Sequence, residues 1–171
     1  MLHKNIFIMS KIYIGLDNGV SGTIGVVGDG IDSIFTPIPT KVEQNYTKTK
    51  QDVHRLDVRA FANLLSQFDA RDITILMERP MINPGLFKAS ISAARCFEAE
   101  LAIIELLQLK HMYVDSKDWQ KILLPKGTKG SEELKKASLD IGNRLFPQFE
   151  DDKHKDRDGI LIAEYGRRMN L

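Results

Sequence analysis

The stretch Tyr13-Ile14-Gly15-Leu16-Asp17-Asn18-Gly19-Val20-Ser21-Gly22-Thr23 decides the fold. An apolar run closes on an aspartate, a turn rich in Gly, Asn and Ser follows, and the chain turns apolar again from Ile24 to Val27. Alternation at Ile12, Ile14 and Leu16 predicts a strand over 11–17, and 23–27 predicts a second strand folding back on it. An acid at such a strand end sits at the rim of a sheet. A carboxylate there can hold a metal ion or a phosphate-bound metal.

Outward from this hairpin, Gly28-Asp29-Gly30 is a turn signal and 31–35 a third strand, so the first three strands form an antiparallel meander ended by Pro37 and Pro39. Residues 40–55 are polar, with Lys41, Lys48, Lys50, His54 and Arg55, and read as a loop, either a solvated excursion or a grip on a polyanion. Helical spacing of Leu56, Ala60, Leu64 and Phe68 predicts a helix over 56–68. A fourth strand over 73–77 closes on a second acid, Glu78, and Arg79-Pro80 stops it. After a turn at 81–85, a long helix is expected over 86–109, with Phe87, Ile91, Ala94, Phe97, Leu101, Ile104 and Leu107 as its apolar face. Its first half is rich in Ala and Ser, which admits close approach of another helix, internal or from a second subunit. A fifth strand over 111–114 ends at Asp115; a short helix over 117–123 has Ser116 as its N-cap, a helix from Ser131 runs to about Phe146, and a last one spans 158–168. The order implies an α/β fold: a mixed five-stranded sheet, three antiparallel strands then parallel ones, flanked by helices. Residues 11–171 form one domain behind an N-terminal extension, 1–10.

A chain of 171 residues suits one domain with its own core. Its 24 Lys and Arg nearly balance 23 Asp and Glu, so a net charge of +1 gives no global case for nucleic acid or membrane, and any polyanion site needs local segregation of charge. The single cysteine, Cys96, excludes an internal disulfide; it reads as buried filler in a reducing, cytoplasmic compartment. The apolar patch Ile6-Phe7-Ile8-Met9 is too short for a signal-peptide core or a membrane span, and no membrane partner is expected.

Asp17 and Glu78 close strands, Asp158 opens the last helix, and His154 and Asp156 lie just before it. Carboxylates forced together raise one another's pKa unless a cation neutralises them. Hard oxygen ligands suit Mg²⁺ or Mn²⁺, and two such ions about 3.5–4 Å apart can activate a water and stabilise the leaving oxygen of a phosphodiester. Asp-x-Gly-x-Ser-Gly-Thr from Asp17 also suits the phosphate hairpin of actin and sugar kinases, giving an ATP-binding alternative, but no second glycine-rich hairpin of that kind follows. A P-loop, a GxGxxG turn, zinc-type Cys/His spacing and a nucleophile elbow are all absent. Between Lys117 and Lys136, six lysines (Lys117, Lys121, Lys126, Lys129, Lys135 and Lys136) face three acids, a local excess of +3. Around a core Trp119 that is a solvated face; beside a carboxylate-metal site it is a surface for a DNA backbone.

The ordered set Ile14-Gly15-Leu16-Asp17-Asn18-Gly19-Val20-Ser21-Gly22, Met77-Glu78-Arg79-Pro80, Tyr113-Val114-Asp115-Ser116-Lys117-Asp118-Trp119-Gln120-Lys121, Leu124-Pro125-Lys126-Gly127-Thr128-Lys129-Gly130-Ser131 and Asp158-Gly159-Ile160-Leu161-Ile162-Ala163-Glu164-Tyr165-Gly166-Arg167-Arg168 resembles the RuvC-type Holliday-junction resolvases, closest to the phage and poxvirus-like branch. The resemblance implies an RNase H-like fold and a homodimer. It implies Mg²⁺- or Mn²⁺-dependent cleavage of four-way and other branched DNA by paired symmetric nicks, leaving 5′-phosphate and 3′-hydroxyl ends, with two ions per active site. It makes Asp17, Glu78 and Asp158 the catalytic acids. Lys121 and Lys135 or Lys136 match the basic region near the scissile phosphate, Met81 and Ile82 the junction wedge, and the long helix the dimer contact. The family carries a further ligand, Asp or His, three or four residues before the last acid. Three before is Lys155, which cannot serve; four before is His154, which can. Asp156 is two before; on a regular helix it would point away from Asp158, but a position ahead of the helix leaves it open as a ligand. This departure leaves the further ligand between His154 and Asp156, and it opens a non-enzymatic alternative, a junction-binding protein with a decayed site.

Overall fold

The computed structural model describes residues 11–44, 48 and 51–171. The extension expected over 1–10 lies outside the described residues, as does Lys50. In chain order the elements are β1 (Ile12–Leu16), β2 (Thr23–Gly28), β3 (Ile34–Pro37), β4 (Thr40–Gln44), β5 (Asp52–Leu56), α1 (Val58–Leu65), β6 (Ile73–Glu78), α2 (Phe87–Leu106), β7 (His111–Val114), α3 (Ser116–Leu123), α4 (Ser131–Leu145) and α5 (Asp158–Met169). The main sheet runs β3-β2-β1-β6-β7. β1, β2 and β3 pair antiparallel, and β6 and β7 continue parallel to β1, which is the mixed sheet expected. No helix among the described residues is long and apolar enough to cross a membrane.

Four expectations need correction. The polar segment 40–55 is not all loop: β4 and β5 pair as a separate hairpin, from Thr40↔Leu56 to Gln44↔Asp52. It carries little apolar alternation, and Glu43 ties it instead, taking Lys41 at 2.7 Å and, across the strands, Arg55 at 2.5 Å. Leu56 therefore ends a strand, and α1 starts at Val58 under Asp57, whose carboxylate accepts from the Arg59 and Ala60 amides. The third strand sits later than expected and runs into Pro37, which an edge strand tolerates. Asp115, not Ser116, is the N-cap position of α3, and its carboxylate pairs with Arg79 at 2.8 Å.

Two apolar layers sandwich the sheet. One face packs Ile12, Ile14, Leu16 and Met77 against α1 and the C-terminal part of α2; the other packs Tyr13, Val27 and Leu76 against α5 and its neighbours. Cys96 is buried, as expected, and donates to Glu100. The expected apolar face of α2 splits: Ile104 is buried, whereas Phe87 and Ile91 at the other end are exposed.

The contact that positions the site is between α5 and the strands. Gly15 and Gly25 face each other across β1 and β2. A methyl group on Gly15 would overlap the Gly159 carbonyl oxygen, and one on Gly25 would overlap the Ile160 backbone. Two bare glycines thus form a trough into which the first turn of α5 sinks backbone-first. The Gly159 amide donates to Thr23 Oγ1 at 3.0 Å and fixes the helix start over the β1–β2 turn.

Candidate active site

β1 and β6 lie side by side and parallel, with Leu16 level with Met77. The next residue on each strand is an acid, Asp17 and Glu78, so two carboxylates emerge at one sheet edge, at the C-terminal ends of parallel strands. The turn after Asp17 returns the chain into the sheet. Gly19 takes φ 126°, where L side chains are strained; the Gly22 amide donates to the Gly19 carbonyl, and the Asp17 amide to the Thr23 carbonyl. α5, sunk into its glycine trough, delivers Asp158 to the same edge.

Asp17, Asp156 and Asp158 each place a carboxylate oxygen within 4.8 Å of the others. Glu78 stands outside this trio, though the charges of Asp158 and Asp156 reach it. Burial, then the charges of Asp158, Glu78 and Asp156, hold the Asp17 carboxyl well above the ordinary carboxylate range, and Lys155 opposes them. Burial and the Asp158 charge push Glu78 up to about 7, against the nearby Trp119 indole. Burial and the Asp156 charge push Asp158 up to about 6, against the Ser138 hydroxyl, His154 and Lys155. All three shifts run the same way, as expected where carboxylates crowd with too little positive charge. Asp156 is 2% exposed, and its Oδ1 has no hydrogen-bond partner among the described residues. A buried carboxylate oxygen left open among other carboxylates fits a hard divalent cation.

His154 is placed beside Asp156 rather than in the trio. Its Nε2 lies 3.2 Å from the Ser21 carbonyl oxygen, and Nδ1 lies 3.3 Å from Asp156 Oδ1 and 3.5 Å from the Asp156 amide. Nδ1 also lies 3.3 Å from the Asp156 carbonyl oxygen, so three of these four contacts offer acceptors, and the ring donates toward Asp156 or toward Ser21 according to which nitrogen carries the proton. Asp156 reaches the trio because Arg157, between it and Asp158, is not helical: at φ −127° and ψ 28° it is the N-cap position of α5. The helical offset that would separate the two aspartates is therefore absent, and both reach Asp17.

Of three nearby residues, two carried no signal in the sequence, and the third, Lys155, stood out only as unable to serve as a ligand. Ser138, fully buried on α4, donates a short hydrogen bond to Asp158 and accepts the Arg157 amide at 3.1 Å. Within Lys-Lys-Ala-Ser-Leu-Asp it reads only as a helical serine. Arg157 is fully buried, though it ends a highly polar run over 148–157. Lys155, unable to act as a ligand, is the lysine whose charge reaches Asp17 and Asp158.

The remaining predicted positions are surface residues. Lys117, Lys121, Lys126, Lys129, Lys135 and Lys136 are all exposed along α3, the loop after it and the start of α4, and Trp119 is buried beneath them. Met81 and Ile82 are exposed just beyond Glu78.

No protein-family model matches the chain, and no curated protein matches it in sequence. Solved structures do match. The Thermus thermophilus RuvC in complex with a Holliday junction substrate aligns with a TM-score of 0.60 at 14% identity, over 94% of this chain and 96% of that one. A second Thermus thermophilus RuvC structure aligns with a TM-score of 0.54 at 15% identity, over 93% and 96%. In fold, this chain is a RuvC-like, RNase H-type domain over nearly its whole length.

Proposed function

We propose that this protein is a metal-dependent endonuclease that resolves four-way and other branched DNA by paired, symmetric nicks, leaving 5′-phosphate and 3′-hydroxyl ends. The observation that carries the reading is the trio Asp17, Asp156 and Asp158, with Glu78 beside it, at one edge of a RuvC-like sheet. Asp17, Asp156 and Asp158 would hold a Mg²⁺ or Mn²⁺ ion, with Glu78 and Asp17 serving a second. Such ions supply Lewis acidity to activate water and to stabilise the leaving oxygen of a phosphodiester.

The chain's own residues do the rest. Asp17, central to the cluster, is the acid whose loss the site tolerates least. Ser138 and His154 hold Asp158 and Asp156 in place. Lys155 supplies positive charge at the rim, a role the family pattern gives to Lys121 and Lys136. Lys117, Lys121 and Lys126 line a groove of about 300 Å³ with the 125–128 loop, and Lys136 lines the next one. With Lys129 and Lys135 they form a path for a phosphate backbone, which positions DNA without reading its sequence. Met81 and Ile82, 79% and 62% exposed, suit apolar contact with unstacked bases. The exposed Phe87 and Ile91 on α2, with Leu86 before them, suit a contact between two copies, and two nicks need two sites.

The decayed-site alternative starts from Lys155 at a ligand position; Asp156 in the trio offers a carboxylate in its place, which supports the enzymatic reading. The test is a labelled four-way junction incubated with the protein in Mg²⁺ or in EDTA. Paired nicks in Mg²⁺ alone are expected. Junction binding with no nicks under either condition contradicts the assignment.

A further inference from the structure

Arg157 is a buried cation without a direct carboxylate partner. It is fully buried, yet all five of its guanidinium N–H groups are used on neutral oxygens. Nε donates to Asn143 Oδ1 at 2.9 Å. Nη1 donates to the carbonyls of His154 and Asp156, both at 3.0 Å. Nη2 donates to the carbonyls of Phe149 at 2.8 Å and Asp152 at 3.0 Å. Phe35, on the sheet edge, lies under the guanidinium at 5.0 Å from ring centroid to Cζ. Gly142 on α4 leaves room for the stem, since a methyl group there would overlap Arg157 Cβ. One side chain thus joins α4, β3 and four carbonyls of the 149–156 segment.

Burying a charge is expensive, and a hydrophobic residue of similar size would fill the space at less cost. The bonds show what the charge is for. Segment 149–156 has a turn bond from the Asp152 amide to the Phe149 carbonyl but no strand or α-helix, and the rigid fork of a guanidinium meets four of its carbonyls at once. Two belong to His154 and Asp156. With Arg157 anchored inward, the residues on either side of it, Asp156 and Asp158, both lie with Asp17. That is how acids two apart, Asp156 and Asp158, meet where a helix would separate them.

We infer that Arg157 is the positioning residue of this site: its anchored guanidinium sets the backbone that presents Asp156 and Asp158 to a divalent cation. This rests on the metal-dependent reading proposed above, and it makes Asp156, rather than His154, the ligand of the unusual Asp-Arg-Asp segment. An ammonium has three donors and no fork, so Arg157→Lys keeps the charge and loses the geometry.

The test is Mn²⁺ binding to the full chain, followed by electron paramagnetic resonance of the free ion, with the urea midpoint measured in parallel. Arg157→Lys should weaken Mn²⁺ binding by about 10–100-fold, the range seen when a ligand's supporting partner is lost. Junction cleavage by this variant should recover as Mg²⁺ is raised. Ile103→Val, in the opposite core layer, serves as a destabilised control and should leave the affinity unchanged. If Arg157→Lys does not fold, Asn143→Ala removes one acceptor and should weaken binding several-fold. Unchanged affinity in the folded variant, or equal loss in Ile103→Val, overturns the inference while the metal reading stands. Absence of Mn²⁺ binding by the unaltered protein overturns both.

Discussion

The acid cluster is assembled from two sides by different means. Asp17 and Glu78 ride neighbouring parallel strands, and the ladder that pairs Leu16 with Met77 places them with no further help. Asp156 and Asp158 come from an irregular segment and a helix start, and they need Ser138, His154, Arg157 and a glycine trough to arrive. A sheet edge supplies position as a by-product of its backbone hydrogen bonds. A loop must be given position by side chains, and those side chains are buried and polar. Changes to the strand side should therefore act through the acids themselves, and changes to the loop side also through residues that never touch the metal.

The sharpest way to break this comparison is to remove one acid from each side. Asp17→Asn should reduce junction cleavage to the level of the enzyme in EDTA while junction binding, followed by gel shift, is retained. Asp156→Asn should do nearly the same. A full-rate Asp17→Asn enzyme ends the assignment, and a full-rate Asp156→Asn enzyme hands the loop-side role back to His154. Next in size comes Ser138→Ala, which deletes the donor to Asp158 and leaves the Arg157 amide without its acceptor. Metal affinity should fall by about 10–100-fold; no strand-side change away from Asp17 and Glu78 should match it.

The glycine trough offers a test through stability. Gly25→Ala forces a methyl into the α5 backbone, and overpacking of this kind costs roughly 1–3 kcal/mol or more. A lower urea midpoint is expected, together with weaker metal binding because Asp158 is displaced. An unchanged midpoint would mean that α5 does not dock as closely as described.

The smallest effect is one of pH. Folding raises the carboxyls of Asp17, Glu78 and Asp158 above their unfolded values near ~4, so the folded state holds protons more tightly there. That contribution to stability is complete below the unfolded pKa and is lost as pH rises through about 6 for Asp158 and about 7 for Glu78. In EDTA the urea midpoint should drop between pH 4 and pH 8, by the sign of these shifts, and saturating Mg²⁺ should flatten the drop. Glu78→Gln should remove the upper part of it alone. A midpoint that rises with pH in EDTA contradicts the crowding of these acids.

The same division explains what the sequence could tell. The five-strand order was legible because apolar runs with defined ends mark strands, and two of those runs end on Asp17 and Glu78. The long helix was legible as a helix, but which part of its apolar face lies buried depends on what packs there; Ile104 meets the core and Phe87 does not. The β4–β5 hairpin was missed because it is held by Glu43 ion pairs rather than by an apolar stripe. At the site, residues 148–157 are highly polar in sequence, and nothing in that run marks Arg157 as fully buried. Helical periodicity would separate Asp156 from Asp158 only if the helix reached back to Asp156, and the non-helical backbone at Arg157 is set by tertiary bonds with Asn143 and Ser138.

The central claim is that acids from both sides meet to hold a divalent cation. A crystal soaked in Mn²⁺, with diffraction recorded at the manganese edge, tests it directly. The account predicts an anomalous peak coordinated by Asp17, Asp156 and Asp158, with any second peak on the Glu78 side of Asp17. A peak bound by Asp17 and His154, with Asp156 turned away, or no peak at this edge of the sheet, would contradict it.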